Sequence, residues 1–339
     1  MSPIPFGTTP SGEEVRALTI RGGGLTARLM TWGAGIVDLR LEGHALPLVL
    51  GFDDFTHYPA HSPYFGVSAG RYANRIRDGK FTIDGVVHQT DRNFLGKHLL
   101  HGGAAGLGKR NWRLVEAGSD QADFSIRAAD GEMGFPGNLD VTCIYRLGGD
   151  GVLSVTFEAA TDAPTLCNMA HHSYFNLADG GAGDCLDHEM RIEAAHYLPV
   201  DDELIPTGDI APVAGTPFDF TRSRPIRHEA GGAQTVYDHN FCLSRKRGPL
   251  REVAQVRSPT SGVTMAVATT EAGLQFYAGH KVQPPVPGLD GINYGPFSGF
   301  CLEAQAWPDS PNHPDWPGAL LRPGETCRSE TQYRFALAQ

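Results

Sequence analysis

Hydrophobic and polar residues alternate with a period of two in four separate segments of the chain. In VLSVTFEA (152–159), every second residue is apolar, beginning at Leu153, and polar residues lie between them. The same alternation occurs in LDVTCIYRL (139–147), in GVTMAVAT (262–269) and in QYRFAL (332–337), where Tyr333, Phe335 and Leu337 share one face. Successive side chains of a strand point to opposite sides, so this pattern is typical of a strand with one buried face. The alternation predicts four β-strands whose apolar residues are directed into a core.

Turn residues divide the rest of the chain into short elements. In KFTIDGVVHQ, Asp84 and Gly85 lie between two β-prone runs, which predicts a hairpin with a type I′ turn. No amphipathic helix longer than two turns is apparent, and the segment from Trp307 to Pro317, which contains four prolines, is predicted to be a loop. Many short strands predict an all-β fold, either a large sandwich or a barrel. The sequence shows no internal repeat of fixed length, which argues against a propeller. We expect one domain, residues 1–339.

Net charge, apolar runs and cysteine spacing indicate which partners and which compartment to expect. The formal net charge of −10 argues against nucleic acid, whose binders usually present a basic face, and favours a small ligand. No run reaches the roughly 18 apolar residues of a membrane helix, and the first residues lack the pattern of a secretory leader. The six cysteines form no CxxC pair and are interpreted as reduced packing residues. We therefore expect a cytoplasmic protein without a membrane or nucleic-acid partner.

Motifs for common cofactors are missing from the sequence. The segment GGAAGLG (102–108) does not match the dinucleotide-binding pattern, because it neither follows a clear strand nor precedes an acidic partner at the usual distance. The sequence also has no P-loop, no HExxH and no G-x-S-x-G. We expect no cofactor.

Six short clusters place ionisable or amide groups beside aromatic residues. A sugar site needs this mixture, because hydroxyls require donors and acceptors while the ring faces require an apolar wall. The clusters are GRYANRI (70–76), LHGG (100–103), HHSYFNL (171–177), YDHNF (237–241), LQFYAG (274–279) and CLEAQAW (301–307).

Each cluster also allows a simpler interpretation when it is taken alone. If HHSYFNL is a strand, His172 and His171 lie on opposite faces, so only one of them points into a given site, and either is compatible with a hydrogen-bonded core histidine. Glu303 has apolar neighbours, which suggests either a perturbed carboxylate or the solvated face of an edge strand. Asp238 is also compatible with a turn cap, and Arg71 and Arg75 with surface charges.

A metal site is a further alternative. Imidazole and carboxylate groups are numerous enough to ligate a metal in a jelly roll, although no spacing among them is diagnostic. The candidates are His98, His101, His171, His172, Asp238 and His239.

Taken together and in this order, the clusters resemble those of the aldose 1-epimerase (galactose mutarotase) family, from about Phe6 to the C-terminal strand. The resemblance implies a single large β-sandwich with an open sugar-binding groove. It also implies an enzyme that interconverts the α and β anomers of free aldoses such as D-glucose and D-galactose, without metal or cofactor. It implies that His172 is the general acid and Glu303 the general base. The substrate ligands that it implies are Asn74, Arg75, His101, Asp238 and Gln275.

Elementary chemistry agrees with these roles. Opening a cyclic hemiacetal requires a proton on the ring oxygen while the C1 hydroxyl loses one, so an acid and a base must act on the same anomeric centre. The sequence departs from the family pattern at His171 and at His280, where Asn is usual. These departures affect local hydrogen bonding, and neither replaces a catalytic residue.

Three other functions remain open on the sequence. They are a non-catalytic sugar-binding or regulatory sandwich, a metal-dependent sugar isomerase, and a relative acting on hexose 6-phosphates, which would need an additional cationic site. Neither the preferred aldose nor the oligomeric state follows from the sequence.

Overall fold

The computed structural model of the chain describes residues 2–62 and 64–337, and β-strands dominate it. The largest sheet is antiparallel and has nine strands. In spatial order they are Arg113–Ala117, Gln121–Ala128, Leu139–Gly148, Val152–Thr161, Cys327–Leu337, Val263–Thr269, Arg251–Arg257, Glu189–Ile192 and Arg224–Pro225. The four strands predicted from alternation are consecutive in this sheet and form its centre.

Burial in these central strands follows the predicted alternation with two exceptions, Thr156, which is buried although it was expected on the polar face, and Leu337. Leu153, Tyr145 and Tyr333 are buried, as expected for the inward face. Leu337 was expected to continue that face, but its side chain is 40% exposed. The prediction is wrong there because Leu337 lies at the end of its strand, where the opposing layer no longer covers it.

Two smaller sheets form the opposite layer. The first has four strands, Ile4–Thr8, Glu14–Gly22, Leu25–Met30 and Gly35–Leu41. The second has five strands, in the order Ala211–Pro212, His196–Tyr197, Asp238–Cys242, Gly273–Tyr277 and Cys301–Gln305. One continuous apolar cluster includes Ile20, Phe276 and Phe335, one from each sheet, so a common core joins the layers. The predicted all-β sandwich is confirmed.

Short strand pairs and helical turns complete the described chain. The pairs are Lys80–Ile83 with Val86–Gln89, Arg75–Ile76 with Leu99–Leu100, Ser68–Ala69 with Ala170–His171, Thr165–Leu166 with Leu320–Leu321, and Glu229–Ala230 with Ala233–Gln234. The α-helix is His57–His61, and the 3₁₀ turns are Arg77–Gly79, Leu107–Lys109, Glu132–Gly134, Leu289–Gly291 and Ser310–Asn312.

Local predictions can be compared with these elements. Asp84 and Gly85 have φ values of 50° and 81°, which fit the predicted type I′ turn. The stretch from Trp307 to Pro317 is a loop containing one 3₁₀ turn, as predicted. All six cysteines are free. No helix within residues 2–62 and 64–337 is long and apolar enough to cross a bilayer.

Asn168 ties together two chain segments that are distant in sequence. Its backbone N–H donates to Arg71 O, and its backbone carbonyl accepts from Ala73 N. Its side-chain Nδ2 donates to Ala73 O at 3.2 Å, and its Oδ1 accepts from Ala306 N at 2.8 Å. The loop that follows Arg71 is thereby held against the end of the Cys301–Gln305 strand.

We expect Asn168→Ala to lower the free energy of unfolding by about 2–3 kcal/mol, because it leaves a buried N–H and a buried carbonyl without their partners. Urea denaturation followed by fluorescence measures the change. Asn138→Ala is the control, because the hydrogen bond of its side chain to Asp162 is exposed, and its loss should be below about 1 kcal/mol. Equal losses in the two variants would contradict the bridging role of Asn168.

Candidate active site

Strand register places a set of polar side chains on one face of the five-stranded sheet. Asn240 pairs with Gln275, and Gln275 pairs with Glu303 on the next strand. Directly paired residues of antiparallel strands point to the same side, as do residues two positions along each strand. The resulting set, here called the polar face, is Asp238, Asn240, Gln275, Tyr277, Cys301, Glu303 and Gln305.

The opposite side of the same strands is apolar and belongs to the core. It carries Phe241, Leu274, Phe276, Leu302 and Ala304. Register is therefore strongly specified, because a slip of one residue would turn the carboxylates into the core. Cys301–Gln305 is the last strand of its sheet, yet Glu303 is only 2% exposed. The interpretation of Glu303 as a solvated edge residue is wrong.

His172 faces Glu303 across this surface. Its Nε2 lies 3.6 Å from Glu303 Oε1, and both side chains are buried. On its other side, the Nδ1 atom of His172 lies 3.6 Å from Cys301 Sγ. Within the HHSYFNL segment, only His171 belongs to a regular strand, Ala170–His171. Backbone hydrogen bonds between His172 and the residues Gly66 and Val67 continue the strand pairing beyond it.

Burial shifts the pKa values of this pair in opposite directions. It raises the pKa of Glu303 to about 8, with a further increase from the Asp238 charge. It lowers the pKa of His172 to about 4. The pair therefore holds one proton at neutral pH, and burial favours its position on Glu303. The ionised arrangement, carboxylate with imidazolium, has the same net charge and differs only by transfer of that proton.

His101 completes a cluster with these two groups. Ligand atoms of His101, His172 and Glu303 all lie within 4.8 Å of one another. Asn74 N donates to His101 Nδ1 at 3.2 Å, so the neutral imidazole carries its proton on Nε2, as a hydrogen-bond donor. Burial, followed by the neighbouring His172, lowers the pKa of His101 well below its usual value and keeps it in this neutral form.

Arg75 and Asp238 form a buried ion pair beside the cluster. Arg75 Nη2 lies 3.2 Å from Asp238 Oδ2, and Gln275 Nε2 donates to Asp238 Oδ1 at 2.6 Å. Burial acts to raise the pKa of Asp238, but the Arg75 charge and the Gln275 amide outweigh it, so the pKa lies below the ordinary value. Asn74 Oδ1 accepts from Arg75 N at 2.9 Å. The turn-cap and surface-charge interpretations are wrong for Asp238 and Arg75.

The seven residues singled out for the site are thus brought together. His172, Glu303 and His101 form one cluster, and Asp238, Arg75, Gln275 and Asn74 form a hydrogen-bonded chain beside it. Asn74 joins the two groups through its bond to His101.

The other candidate metal ligands lie elsewhere. His171 points into the core, where its Nε2 lies 2.7 Å from Ser173 Oγ, so the simpler interpretation is correct for this histidine. His98 contacts Glu203, and His239 packs against Phe218 on the opposite face of its strand from Asp238. The predicted separation of His171 from His172 onto opposite sides is confirmed.

The chemistry of His101 does not fit a metal centre. A histidine that binds metal usually donates its second ring N–H to a carbonyl or carboxylate. In His101 the Nδ1 atom instead accepts the Asn74 N–H, so ligation through Nε2 would place two N–H groups against each other. The cluster of His101, His172 and Glu303 is therefore suited to hydrogen bonding rather than to ligation.

Aromatic residues line the histidines, and one of them, Tyr64, was not predicted from the sequence. The Tyr64 ring lies 4.6 Å from that of His101 and stacks on that of His172 at 5.7 Å, between centroids. Tyr64 lies outside every cluster identified in the sequence, so no local pattern could have found it. Tyr174 stacks on His172 from within its own segment, at 5.1 Å. Together they place aromatic ring faces against the two histidines.

Arg71 belongs to the same motif as Arg75 but has a different role. It is buried, and its guanidinium donates to the carbonyls of Pro136, Gly137 and Ala128 and to Thr165 Oγ1. Burial lowers the pKa of Arg71 to about 10. Its guanidinium holds these loops together through hydrogen bonds, so the interpretation of Arg71 as a surface charge is wrong.

Comparison with known proteins identifies similar chains. The model of the aldose 1-epimerase family matches residues 16–334. The chain is 41% identical over 338 residues to galactose mutarotase of Rattus norvegicus, covering 98% of each chain. It is 39% identical over 337 residues to aldose 1-epimerase of Escherichia coli K12, covering 96% of each. An aldose epimerase homologue from C. elegans superimposes with a TM-score of 0.88 at 29% identity, covering 95% of this chain and 99% of that one.

We expect Asp238→Leu to destabilise the protein by about 3–5 kcal/mol, because it leaves the Arg75 charge buried without its partner. The double variant Arg75→Met, Asp238→Leu should recover most of that loss, since both charges are then removed. Denaturant unfolding of the two variants measures the difference. A double variant less stable than Asp238→Leu alone would show that the charge pair is not the source of the loss.

Proposed function

Because the chain belongs to the aldose 1-epimerase family, we propose that His172 and Glu303 are the acid and base of its mutarotase reaction. The observation that carries the proposal is the 3.6 Å approach of His172 Nε2 to Glu303 Oε1 between two buried side chains. Interconversion of anomers needs one proton donor and one proton acceptor at the same carbon centre, and this pair holds one proton.

The reaction proceeds by opening and reclosing the sugar ring. The reactive form is the ionised arrangement, in which the shared proton has moved from Glu303 to His172. From that form, Glu303 takes the proton of the C1 hydroxyl while His172 donates its proton to the ring oxygen. The bond between C1 and the ring oxygen breaks, and C1 becomes an aldehyde. Rotation about the C1–C2 bond presents the other carbonyl face, and reclosure returns both protons with the roles reversed. Each group contributes about 10²–10⁴ in rate, as is typical of general acid–base catalysis.

The surrounding polar groups hold the sugar hydroxyls. We assign substrate binding to Asn74, Arg75, His101, Asp238 and Gln275. The donor on His101 Nε2 and the carboxylate of Asp238 offer opposite hydrogen-bonding character, so hydroxyls can both accept and donate. Tyr64 covers the histidines from one side. Hydroxyls held at fixed positions orient C1 between the acid and the base. These residues therefore contribute to the rate by positioning the substrate.

Free aldoses such as D-galactose and D-glucose are the proposed substrates. Support comes from the similarity to the rat galactose mutarotase and the bacterial aldose 1-epimerase. A panel of galactose, glucose, arabinose and xylose tests the preference, because epimers differ only in where their hydroxyls meet the ligands.

We also propose that residues 1–339 act as one catalytic domain in the cytoplasm. The family model spans most of the chain, and six free cysteines fit a reducing compartment.

A sugar-binding protein without catalysis is the main competing function. Binding alone requires hydroxyl partners and an aromatic wall, but it gives no reason to bury a carboxylate and an imidazole at 3.6 Å with opposed pKa shifts. The acid–base pair therefore favours the enzyme.

We expect Glu303→Gln and His172→Asn each to lower kcat by about 10²–10⁴, because each removes one proton-transfer group while keeping the shape of the site. Polarimetry of freshly dissolved α-D-glucose and α-D-galactose measures the rate above the buffer rate. Fluorescence titration with sugar should show that both variants still bind.

Glu116→Gln and His196→Asn are the matched controls, because both residues are exposed and lie outside the site. They should keep full activity. Normal turnover by Glu303→Gln would refute its assignment as the base, and wild-type protein with no rate gain over buffer would favour the binding protein.

The pH profile of kcat/KM should be bell-shaped, with limbs at pH values of about 4 and about 8. Below the lower limb the pair gains a second proton and has no base. Above the upper limb it loses its only proton and has no acid. Initial rates after subtraction of the buffer reaction measure the profile. An alkaline limb that is unchanged in the residual activity of Glu303→Gln would show that another group produces it.

A further inference from the structure

Cys301 is a buried side chain of the polar face that the proposed reaction does not use. It is 0% exposed and is the first residue of the Cys301–Gln305 strand. Burial, followed by the Glu303 charge, raises the pKa of its thiol well above the usual value, so Cys301 is a neutral thiol at neutral pH. A neutral thiol is a poor nucleophile and a poor base. Its contribution must therefore come from the atoms that it contacts.

Cys301 and Glu303 meet the two ring nitrogens of His172 from one strand. They lie two positions apart, so their side chains point to the same face. Glu303 Oε1 lies 3.6 Å from the Nε2 atom. Cys301 Sγ lies 3.6 Å from the Nδ1 atom, within the range of hydrogen bonds to sulfur. The strand that carries the carboxylate thus also supplies a partner for the far side of the imidazole.

The shared proton requires a particular tautomer of His172. Burial favours the proton on Glu303, and a protonated carboxyl group that faces Nε2 needs this nitrogen as an acceptor. In a neutral imidazole one nitrogen accepts and the other donates, so Nδ1 then carries the ring proton. The sulfur of Cys301 can accept a weak hydrogen bond from this N–H. When Nε2 receives the shared proton, the imidazolium keeps the same contact at Nδ1.

We propose that Cys301 is a positioning residue that holds the ring proton of His172 on Nδ1, so that Nε2 exchanges a proton with Glu303 and with the sugar. The inference rests on the proposed function of His172 as the acid. In the opposite tautomer Nε2 already carries a proton, so it could not receive the one shared with Glu303. Cys301 acts through the imidazole and takes no part in proton transfer.

The groups packed around His172 come from several elements and all affect the charge of its ring. They are Glu303, Cys301, His101, Tyr64, Tyr174 and Asp238. Burial lowers the pKa of His172, whereas a contact with its own backbone and the Asp238 charge act to raise it. Cys301 is the member of this set that meets Nδ1. Its replacement therefore tests the far side of the ring and leaves the contact with Glu303 in place.

A packing role for Cys301 predicts a different result. Replacement of a buried cysteine by alanine removes volume and lowers stability wherever that cysteine lies. Cys185 provides the matched control, because it is also free and 0% exposed but lies outside the polar face. Packing alone would affect Cys301→Ala and Cys185→Ala alike. A positioning role changes the tautomer and the rate in Cys301→Ala only.

The first measurement is the nitrogen NMR spectrum of the histidine rings of the full chain at neutral pH. The signals of His172 are assigned by their absence from His172→Asn. We expect a protonated Nδ1 and an unprotonated Nε2 in the wild type, and a mixture of both tautomers in Cys301→Ala. Cys301→Ser keeps an acceptor and should retain mainly the wild-type tautomer. Cys185→Ala should leave the tautomer unchanged.

The second measurement is the rate of galactose mutarotation. We expect kcat of Cys301→Ala to fall about tenfold, as for the loss of one hydrogen bond to a charged group, with KM nearly unchanged. The acid limb of the pH profile should move to lower pH, because the imidazolium loses an acceptor and the pKa of His172 falls further. Cys301→Ser should recover part of the rate, and Cys185→Ala should keep all of it.

Several outcomes would overturn the inference. They are a wild-type His172 with its ring proton on Nε2, which would make the thiol the donor, an unchanged tautomer and kcat in folded Cys301→Ala, an equal loss of rate in Cys185→Ala, and a raised KM with unchanged kcat in Cys301→Ala, which would assign the thiol to the sugar. Failure of the proposed function looks different. In that case wild-type protein would show no mutarotation, or His172→Asn would remain active, whatever the tautomer.

Discussion

The single proton shared by His172 and Glu303 is the constraint on which the site depends. Burial pushes their pKa values apart, so neither group ionises alone and transfer of the proton between them conserves net charge. Such a pair requires a surface shielded from water and held at fixed geometry. The sandwich provides it, because the strand that carries Glu303 packs its other face into the common core through Leu302 and Ala304.

Loops supply the partners that the strands cannot. Asn74 and His101 have φ values of 63° and 49°, in the left-handed region that costs most residues about 1 kcal/mol or more. Their mutual hydrogen bond and the bridge from Asn168 hold this strained geometry. The site therefore joins a rigid sheet, which fixes the Glu303 carboxylate, to strained loops, which fix the proton on His101. The strained backbone at Asn74 and His101 lowers local stability, and it orients the His101 ring.

The sequence predicted those features that depend on local periodicity. Alternation identified the central strands of the nine-stranded sheet, and the same reasoning separated His172 from His171. Periodicity could not reveal that Tyr64 stacks on both site histidines, because that contact joins segments about 40 and 110 residues apart. The predicted burial of Leu337 was wrong because alternation carries no information about where the opposing layer ends.

The two departures from the family pattern have different physical meanings. His171 lies in the core, where Ser173 and Tyr145 contact its two ring nitrogens, and burial lowers its pKa to about 3. It remains neutral and packs in the core, so having His171 in place of Asn affects the stability of the fold. His280 is partly exposed, its ring lies 5.2 Å from that of Tyr277, and its Nδ1 has no partner within the described chain. Tyr277 belongs to the polar face, so His280 lies next to that face. Of the two departures, His280 is therefore the one that adjoins the candidate site.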